Sequence, residues 1–320
     1  MTNNKLKLTA QIFRSLYRIR RIEEKITQVY PMDKIKSPVH LSIGQEAVSV
    51  GVCEALEPQD VVFGTYRGHA MYLAKGGDLK SMIAELYGKV TGCAKGKGGS
   101  MHLIDKDHGV MGTSAIVGTT LPVSVGYALG LRYRESDAIV ASFFGDGAVD
   151  EGAFHEGINF AALKKVPIIF ICENNEYAIH SHHLRRRLAD NMCERVRSYG
   201  IHARRIDNAD VFKIYRFVKK YSMLIRSGQI GPVFIECMTA RWREHVGPNE
   251  DFDFGYRTRG DIEHCVKNDQ VQRLRCLLPG PVADRIIGEV ETEIEEAFQF
   301  AEDSPFPDGV ELFNDLFREA

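Results

Sequence analysis

The stretch that decides the fold is Phe143 to Ile179, FFGDGAVDEGAFHEGINFAALKKVPIIFICENNEYAI. It continues an apolar run, Ala138 to Phe144, which lacks polar alternation and therefore predicts a strand covered on both faces. Residues Gly152 to Lys164 then place apolar side chains on one helical stripe. VPIIFICEN, residues 166–174, follows as a second buried strand. Strand, helix and strand in this order predict a βαβ unit.

The alternation of strands and helices continues outward from this unit. The N-terminal segment QIFRSLYRIRRIEEKI, residues 11–26, repeats apolar residues at helical spacing and predicts an amphipathic helix. Strands are predicted at HARRID (202–207) and PVFIECMT (232–239), with a helix from Asp210 to Ser227 between them. A long final helix covers Ala283 to Ala301. This order predicts an α/β fold with a doubly wound, mostly parallel sheet flanked by helices.

Two segments interrupt the regular pattern. Gly88 to Gly118 is rich in glycine, and Ala240 to Gly260 is polar and irregular. Long irregular segments inside a compact pattern are often functional. We expect one α/β domain over residues 1–320, with an N-terminal helical arm and a C-terminal helix.

Composition and charge exclude several classes of protein. A net charge of -2 does not favour a nucleic-acid binder, because neither sign of charge dominates. No apolar run approaches the ~20 residues that cross a bilayer, and the N-terminus lacks a secretory signal. The seven cysteines are scattered, odd in number and never spaced as C-x-x-C, which argues against a zinc ribbon or a disulfide framework. We expect reduced thiols in a cytoplasmic protein.

Gly145-Asp146-Gly147 lies where the first buried strand ends and a helix begins, which is where open α/β sheets bind ligands. The dinucleotide pattern G-x-G-x-x-G would need glycine at the position of Asp150, and no Walker A pattern occurs in the chain. A central aspartate would repel a bare phosphate, unless a cation lies between them. Mg²⁺ commonly bridges carboxylate and phosphate oxygens.

The next strand supplies a second candidate ligand. It ends in Glu173-Asn174-Asn175-Glu176-Tyr177, where the amide oxygen of Asn175 and a following main-chain carbonyl suit the same ion. Asp146 and Asn175 are one βαβ repeat apart, which places their loops side by side. A G-D-G tripeptide alone is more often an ordinary turn, whereas the pair of strand ends is fairly specific.

At these residues the chain resembles the α subunit of thiamine-diphosphate-dependent 2-oxo acid dehydrogenases, the E1 component. The relatives in that family include pyruvate, branched-chain 2-oxo acid and acetoin dehydrogenases. The resemblance covers nearly the whole chain and implies a thiamine-diphosphate-binding fold of the diphosphate-binding type. Its blocks occur in order as YRIRRIEEKI, HLSIGQEAVSVGV, GTYRGHAMYLAKG, GKGGSMHL, GTSAIVGTTLPVSVGYAL, the stretch quoted first, and SPFPDGVELF.

The resemblance implies roles for individual residues. It makes Asp146, Asn175 and the main-chain carbonyl of Tyr177 ligands of Mg²⁺. Further residues would bind thiamine diphosphate: Gly145, Gly147 and Ala148 at the diphosphate, Tyr66 and Arg67 from TYRGH, Ala115 and Val117 around the aminopyrimidine, and His245. Without the resemblance, Arg67 would be a surface cation and Val117 a core residue. Ala115 departs from the glycine of the pyruvate branch, which is a mild difference.

Three histidines match active-site positions of the family: His40 in HLSIGQE, His69 in YRGH and His245 in WREH. Each alone would more often be structural or exposed. Near a reacting carbonyl, imidazole can donate a proton or stabilise developing negative charge.

Two polar segments leave alternatives open. His180 to His183 (HSHH) favours a polar loop near the cofactor cleft over a metal site, because the spacing does not fit a helical pair and no acid cluster joins it. LRRRL, residues 184–188, is expected to be a solvated cationic face, with contact to a partner subunit as the alternative.

The resemblance also implies an activity and partners. Such an enzyme decarboxylates a 2-oxo acid, or cleaves acetoin, and passes the acyl or hydroxyalkyl group to a lipoyl group on an E2 partner. The glutamate that activates the cofactor belongs to a β subunit, so an α₂β₂ tetramer is expected. Val246 stands where animal pyruvate relatives carry a phosphorylatable serine, which excludes phosphorylation there. A carboligase with an aldehyde or sugar acceptor, and a non-catalytic scaffold subunit, are the alternatives.

Overall fold

Residues 3–317 are described by a computed structural model, with helices on both faces of a six-stranded sheet. The helices are α1 (Asn3–Val29), α2 (Glu46–Cys53), α3 (His69–Ala74), α4 (Leu79–Leu86), α5 (Thr120–Tyr133), α6 (Gly152–Lys164), α7 (His183–Arg186), α8 (Met192–Arg197), α9 (Val211–Arg226), α10 (Arg259–Lys267), α11 (Gln270–Leu277) and α12 (Gly280–Asp303). The strands are β1 (Val61–Thr65), β2 (Val110–Ser114), β3 (Val140–Gly145), β4 (Ile168–Asn174), β5 (Tyr177–Ala178), β6 (Ser181–His182), β7 (His202–Ile206) and β8 (Val233–Met238).

The large sheet has the strand order β2-β1-β3-β4-β8-β7, and every neighbouring pair in it is parallel. The predicted doubly wound α/β fold is therefore confirmed. The chain moves outward from β1 to β2 on one side and from β3 to β4 on the other. The reversal lies between β1 and β3, and the carboxyl ends of these strands open the crevice in which such sheets bind ligands.

The central strands are buried on both faces because their side chains alternate between two apolar cores. Val140 and Phe144 of β3 pack into one core, while Ala141 and Phe143 pack into the other. The strand predicted from the apolar run is thus confirmed. The helix predicted for Gly152–Lys164 forms over the same residues as α6.

One prediction about the irregular segments is wrong. Gly88 to Gly118 contains β2, which pairs with β1 at the edge of the sheet. The sequence did not indicate this strand because β2 is short and includes a glycine. Gly112 has φ of 147°, which residues with a side chain rarely adopt. Of the segment Ala240 to Gly260, residues 240–258 are irregular, as predicted, and α10 begins at Arg259.

The N-terminal helix α1 lies along the C-terminal helix α12. Apolar side chains of both helices, including Ile12, Ile19 and Ile294, are buried in the larger core. Ion pairs flank this seam, such as Arg18 with Glu293 at 2.8 Å. Partly exposed pairs of this kind contribute little, so the apolar seam stabilises the contact. No helix within residues 3–317 is long and apolar enough to cross a membrane.

The glycine-rich segment after α4 is organised by one buried carboxylate, Glu85. Its Oε2 accepts hydrogen bonds from the N–H groups of Ala94 (2.8 Å) and Gly96 (2.9 Å), and its Oε1 from those of Gly98 (2.7 Å) and Gly99 (3.0 Å). Glu85 is fully buried, so water does not solvate its carboxylate. The carboxylate and the four N–H groups satisfy each other's hydrogen bonds instead. Glu85 therefore fixes the loop that leads to the ligand-binding edge.

We expect Glu85→Gln to lower the free energy of unfolding by about 3 kcal/mol, because the new amide nitrogen faces two N–H donors and leaves them unpaired. Chemical denaturation measures this change. Glu296→Gln, at an exposed pair with Lys80, is the control and should change stability by less than about 0.5 kcal/mol. Equal stability of the two variants would rule out the proposed role of Glu85.

Candidate functional site

The site begins where β3 ends. Gly145 leads into a short 3₁₀ turn, Asp146–Asp150, which places the Asp146 carboxyl in the interior with only 1% of its surface exposed. A Cβ on Gly147 would lie 2.9 Å from the Cβ of Ala178, so the next loop leaves no room for a side chain there. The glycines thus let two strand-end loops approach each other around a buried carboxylate.

A cavity of about 190 Å³ lies at the carboxyl ends of β1, β3 and β4. Most residues predicted to form the site line it. They are Tyr66, Arg67, Val117, Gly145, Asp146, Gly147, Ala148, Asn175, Tyr177 and His245. The structure therefore brings together the two halves of the predicted metal motif, which come from neighbouring strands.

Asn175 is held in a defined orientation. Its Nδ2 donates to Oε1 of Gln45 at 2.9 Å, and its Oδ1 accepts from the main-chain N–H of Tyr177 at 3.2 Å. An amide oxygen has a second lone pair, which remains for a cation. Gln45 was not predicted, although it lies in the recognised block HLSIGQE.

The buried carboxylate of Asp146 is paired with a guanidinium group. Arg186 Nη2 donates to Asp146 Oδ2 at 2.5 Å, and Arg187 donates to the main-chain oxygen of Asp146. Burial raises the pKa of Asp146, while the charges of Arg186 and Arg187 oppose that change. An ionised carboxylate at this depth requires a positive charge beside it, which the arginine provides.

The same arginines hold a second acid. Arg187 Nε donates to Asp150 Oδ1 at 2.8 Å, and Arg186 pairs with the other carboxylate oxygen. Burial raises the pKa of Asp150, but Arg187 and Arg186 outweigh it and lower the pKa overall. The expectation of a solvated cationic face at residues 184–188 is therefore wrong for Arg186 and Arg187. Helix α7 directs Arg186 and Arg187 back toward the strand ends. Their contacts with Asp146 and Asp150 are distant in sequence, so the local charge pattern does not predict them.

Tyr66, Arg67 and His245 line one wall of the cavity, and His40 packs against Tyr66 and His245 without lining it. The ring of His40 lies 4.4 Å from that of Tyr66 and 5.1 Å from that of His245, between centroids. Arg67 is buried and donates from Nη1 to the main-chain oxygen of Leu41 (2.7 Å) and from Nη2 to that of His245 (3.1 Å). Arg67 thus ties two loops together beside the cavity.

Burial and the positive charge of Arg67 keep these histidines neutral. Burial, followed by Arg67, lowers the pKa of His245 to about 3 and that of His40 to about 2. A neutral imidazole still donates one hydrogen bond, but it carries no charge to attract an anion. Nδ1 of His40 is buried without a hydrogen-bond partner, although His40 does not line the cavity.

His69 lies apart from the residues that line the cavity. It is fully buried, with Nδ1 2.7 Å from Glu23 Oε1 and Nε2 2.7 Å from Ser100 Oγ. Both ring nitrogens are therefore occupied by side chains of the fold. Its catalytic role stays a prediction, and this contact favours a positioning role. Glu23 and Ser100 were not predicted, although both lie in recognised blocks.

The segment after β2 places its two predicted residues differently. Val117 lines the cavity with 42% of its surface exposed, whereas Ala115 is half-buried and outside the lining. An exposed valine at a cavity wall is available to support a ligand from below. The predicted main-chain role of Ala115 remains a prediction.

Glu173 is a further acid in the cavity that was not predicted. It ends the apolar run of β4 and is buried beside the loop that carries Arg67. Burial raises its pKa to about 7, against the opposing charge of Arg67. The signal in the sequence is an acid directly after the buried residues IIFIC.

The cavity fits a diphosphate with a divalent cation. Asp146 and Asn175 offer hard oxygen ligands of the type that Mg²⁺ prefers. Gly147 and Ala148 line the cavity at the start of the 3₁₀ turn, where a side chain on residue 147 would collide with Ala178. Tyr66, Arg67 and His245 also line the cavity and add polar side chains to it.

Comparison with known proteins gives a family match over most of the chain. The family model described as "Dehydrogenase E1 component" matches residues 14–309. The α subunit of acetoin:2,6-dichlorophenolindophenol oxidoreductase of Bacillus subtilis is 35% identical over 311 residues, covering 96% of this chain and 92% of the relative. The pyruvate dehydrogenase E1 component α subunit of Rickettsia bellii is 33% identical over 311 residues, covering 95% and 94%. The chloroplastic α-3 subunit of the Arabidopsis thaliana pyruvate dehydrogenase is 35% identical over 317 residues, covering 94% and 72%.

The lowered pKa of His245 predicts that its ring stays neutral between pH 5 and 8. An unfolded histidine titrates at about 6.5, so the stability gained from the neutral buried ring is present above that pH and is lost as pH falls toward 3. Proton–carbon NMR of the ligand-free chain, with His245→Gln to assign the signal, measures the titration. A midpoint near 6.5 for His245 would contradict the account of this wall.

Proposed function

The chain belongs to the dehydrogenase E1 component family as a thiamine-diphosphate-dependent E1 α subunit, and from this premise we propose that its cavity holds Mg²⁺ and the diphosphate of the cofactor. The observation that carries the proposal is the convergence of Asp146 and Asn175 on one cavity at the reversal of strand order. Tyr177 would add its main-chain carbonyl as the third protein ligand. Mg²⁺ would take over the countercharge that Arg186 now provides.

Thiamine diphosphate, when bound, supplies a carbanion that can attack the carbonyl carbon of a 2-oxo acid. In this proposal, the N–H groups of Gly147 and Ala148 bind the diphosphate, with Gly145 allowing close approach. Val117 supports the cofactor from below, and main-chain groups at Ala115 hold its pyrimidine ring. These contacts orient the cofactor and exclude water, while the chemistry belongs to the cofactor itself.

The histidine wall would bind the substrate. Neutral His245 and His40 can each donate a hydrogen bond to an oxygen on which negative charge develops. Tyr66 and Arg67 beside them would contact the cofactor, and the charge of Arg67 favours an anionic group there. A bound carboxylate would raise the pKa of both histidines, because an opposite charge favours the protonated ring. His69 would act through its buried contacts with Glu23 and Ser100.

The family implies a β subunit, and we propose an α₂β₂ tetramer in which that subunit supplies the activating glutamate. The acceptor would be a lipoyl group on E2 and the substrate a 2-oxo acid or acetoin. Two relatives are named as pyruvate dehydrogenase subunits and one as an acetoin oxidoreductase subunit. These names do not favour a carboligase or a scaffold subunit. We propose one domain over residues 1–320 and a cytoplasmic location, which the seven free thiols support.

Asp146→Ala should weaken Mg²⁺-dependent binding of thiamine diphosphate by more than about 100-fold, because it removes the one charged ligand proposed for the metal, beyond the ~10–100-fold typical of outer-shell changes. Calorimetry with the chain and its co-expressed β partner measures the binding.

The matched control is Asp150→Ala. Asp150 shares both arginines with Asp146 but lies outside the cavity. The dissociation constant of that variant for thiamine diphosphate should lie within about tenfold of that of the natural chain, because the variant lacks only an outer contact. If Asp146→Ala binds thiamine diphosphate as tightly as the natural chain, Asp146 is not a ligand of Mg²⁺.

His245→Ala should leave the dissociation constant of thiamine diphosphate within about threefold and lower kcat by roughly 10²-fold, as the loss of one donor to a developing oxyanion does. Steady-state assays with a panel of 2-oxo acids and acetoin provide the measurement. Normal turnover in the variant would show that His245 has no catalytic role.

A further inference from the structure

The loop between β4 and α8 brings two histidines and an acid together. Strands β5 and β6 form an antiparallel hairpin in which Tyr177 pairs with His182. The main-chain N–H of His183 donates to the oxygen of Glu176 at 2.7 Å. The hairpin thus folds Glu176 back beside His182 and His183. The sequence shows no Cys or acid cluster beside the histidines, but the fold brings one acid, Glu176, next to His182 and His183.

The three side chains present ligand atoms to one small volume. One atom from each of Glu176, His182 and His183 lies within 4.8 Å of the other two. Nε2 of His183 is 3.9 Å from Oε1 of Glu176. Ligand atoms around one Zn²⁺, with bonds of about 2.0–2.1 Å, are roughly 3.3 Å apart in a tetrahedron. Binding one ion therefore requires these atoms to move closer to one another by at most about 1.5 Å.

The buried ring of His183 is oriented for a metal. Nε2 faces Glu176, while Nδ1 has no hydrogen-bond partner and lies 3.9 Å from Oδ1 of Asp190. Asp190 is itself fixed by Arg205 at 2.5 Å. A carboxylate behind the second ring nitrogen is the usual arrangement of a metal-bound histidine.

His182 leaves its other nitrogen for the same ion. Its Nδ1 accepts a long hydrogen bond of 3.3 Å from the N–H of Leu184, so Nε2 is the free atom. When a metal binds Nε2, the single ring proton lies on Nδ1. A protonated Nδ1 can no longer accept the hydrogen bond from Leu184. Coordination therefore disturbs only the cap of the short helix α7.

The backbone of the loop is strained where the cluster forms. Glu176 has φ of 69° and the β-branched Ile179 has φ of 54°. Side chains rarely adopt this region, and strained residues concentrate at functional sites. A glycine would suit the position of Glu176 better on conformational grounds. The carboxylate held there instead is the one that meets the two histidines.

We propose that Glu176, His182 and His183 bind one Zn²⁺ ion, with water completing the coordination. Two imidazoles and a carboxylate with an open position are a donor set of zinc sites, whereas Mg²⁺ prefers oxygen ligands. The ion would join the end of β4 to the start of α7. Because α7 carries Arg186 to Asp146, zinc at this site fixes the loop over the cavity. The binding itself does not depend on the proposed function.

The experiment titrates the full-length chain with Zn²⁺ by calorimetry, and with Co²⁺ by visible absorption to report the coordination geometry. We expect one saturable ion per chain and tetrahedral Co²⁺ bands. His182→Gln should weaken Zn²⁺ binding at least about tenfold, as loss of a ligand exceeds an outer-shell change. Glu176→Gln is a second test, because its position in the hairpin leaves the core intact.

His180→Gln is the matched control. His180 lies in the same hairpin, but its ring packs on Tyr256 and it is outside the cluster. It should bind Zn²⁺ as the natural chain does, and so should Asp146→Ala, which separates this site from the cofactor site. Absence of saturable Zn²⁺ binding would overturn the proposal. So would binding that His182→Gln and Glu176→Gln leave unchanged, or that His180→Gln weakens equally.

Discussion

The ligand-binding edge of this fold depends on the burial of one negative charge, the carboxylate of Asp146. The strand before it is covered on both faces, so the carboxylate enters the interior at the point where the backbone turns. A buried charge of this kind is stable only beside a positive one. The long loop after β4 therefore closes back on the strand end and places Arg186 at the carboxylate.

On the other side of the cavity, burial keeps two histidine rings uncharged. His40 and His245 lie against Tyr66 and a buried Arg67, and both rings are neutral as a result. The cavity is thus divided into an acidic side at Asp146 and a side of neutral donors with one cation. This division suits a ligand that has a metal-bound diphosphate at one end and a reacting carbonyl at the other.

The parts of this arrangement that follow from local pattern could be predicted from the sequence. The apolar runs of β3 and β4 determine a parallel βαβ unit, and their polar ends bring Asp146 and Asn175 together. The contacts of Arg186 and His69 could not be predicted, because their partners are distant in the chain. Strand β2 was missed since a glycine breaks its short pattern. Roles at Ala115 and Tyr177 involve the main chain, which residue type does not encode.

The loop that carries Arg186 is the link between the acidic side of the cavity and the hairpin at Glu176. We propose that Mg²⁺ replaces the guanidinium at Asp146 when the cofactor binds. A crystal structure of the chain with its β partner, thiamine diphosphate and Mn²⁺ in place of Mg²⁺ tests it most directly, because anomalous scattering locates the ion. We expect Mn²⁺ to be bonded to Asp146 and Asn175. The 2.5 Å contact between Arg186 and Asp146 should then be broken. An intact Arg186–Asp146 pair with the metal bound elsewhere would contradict it.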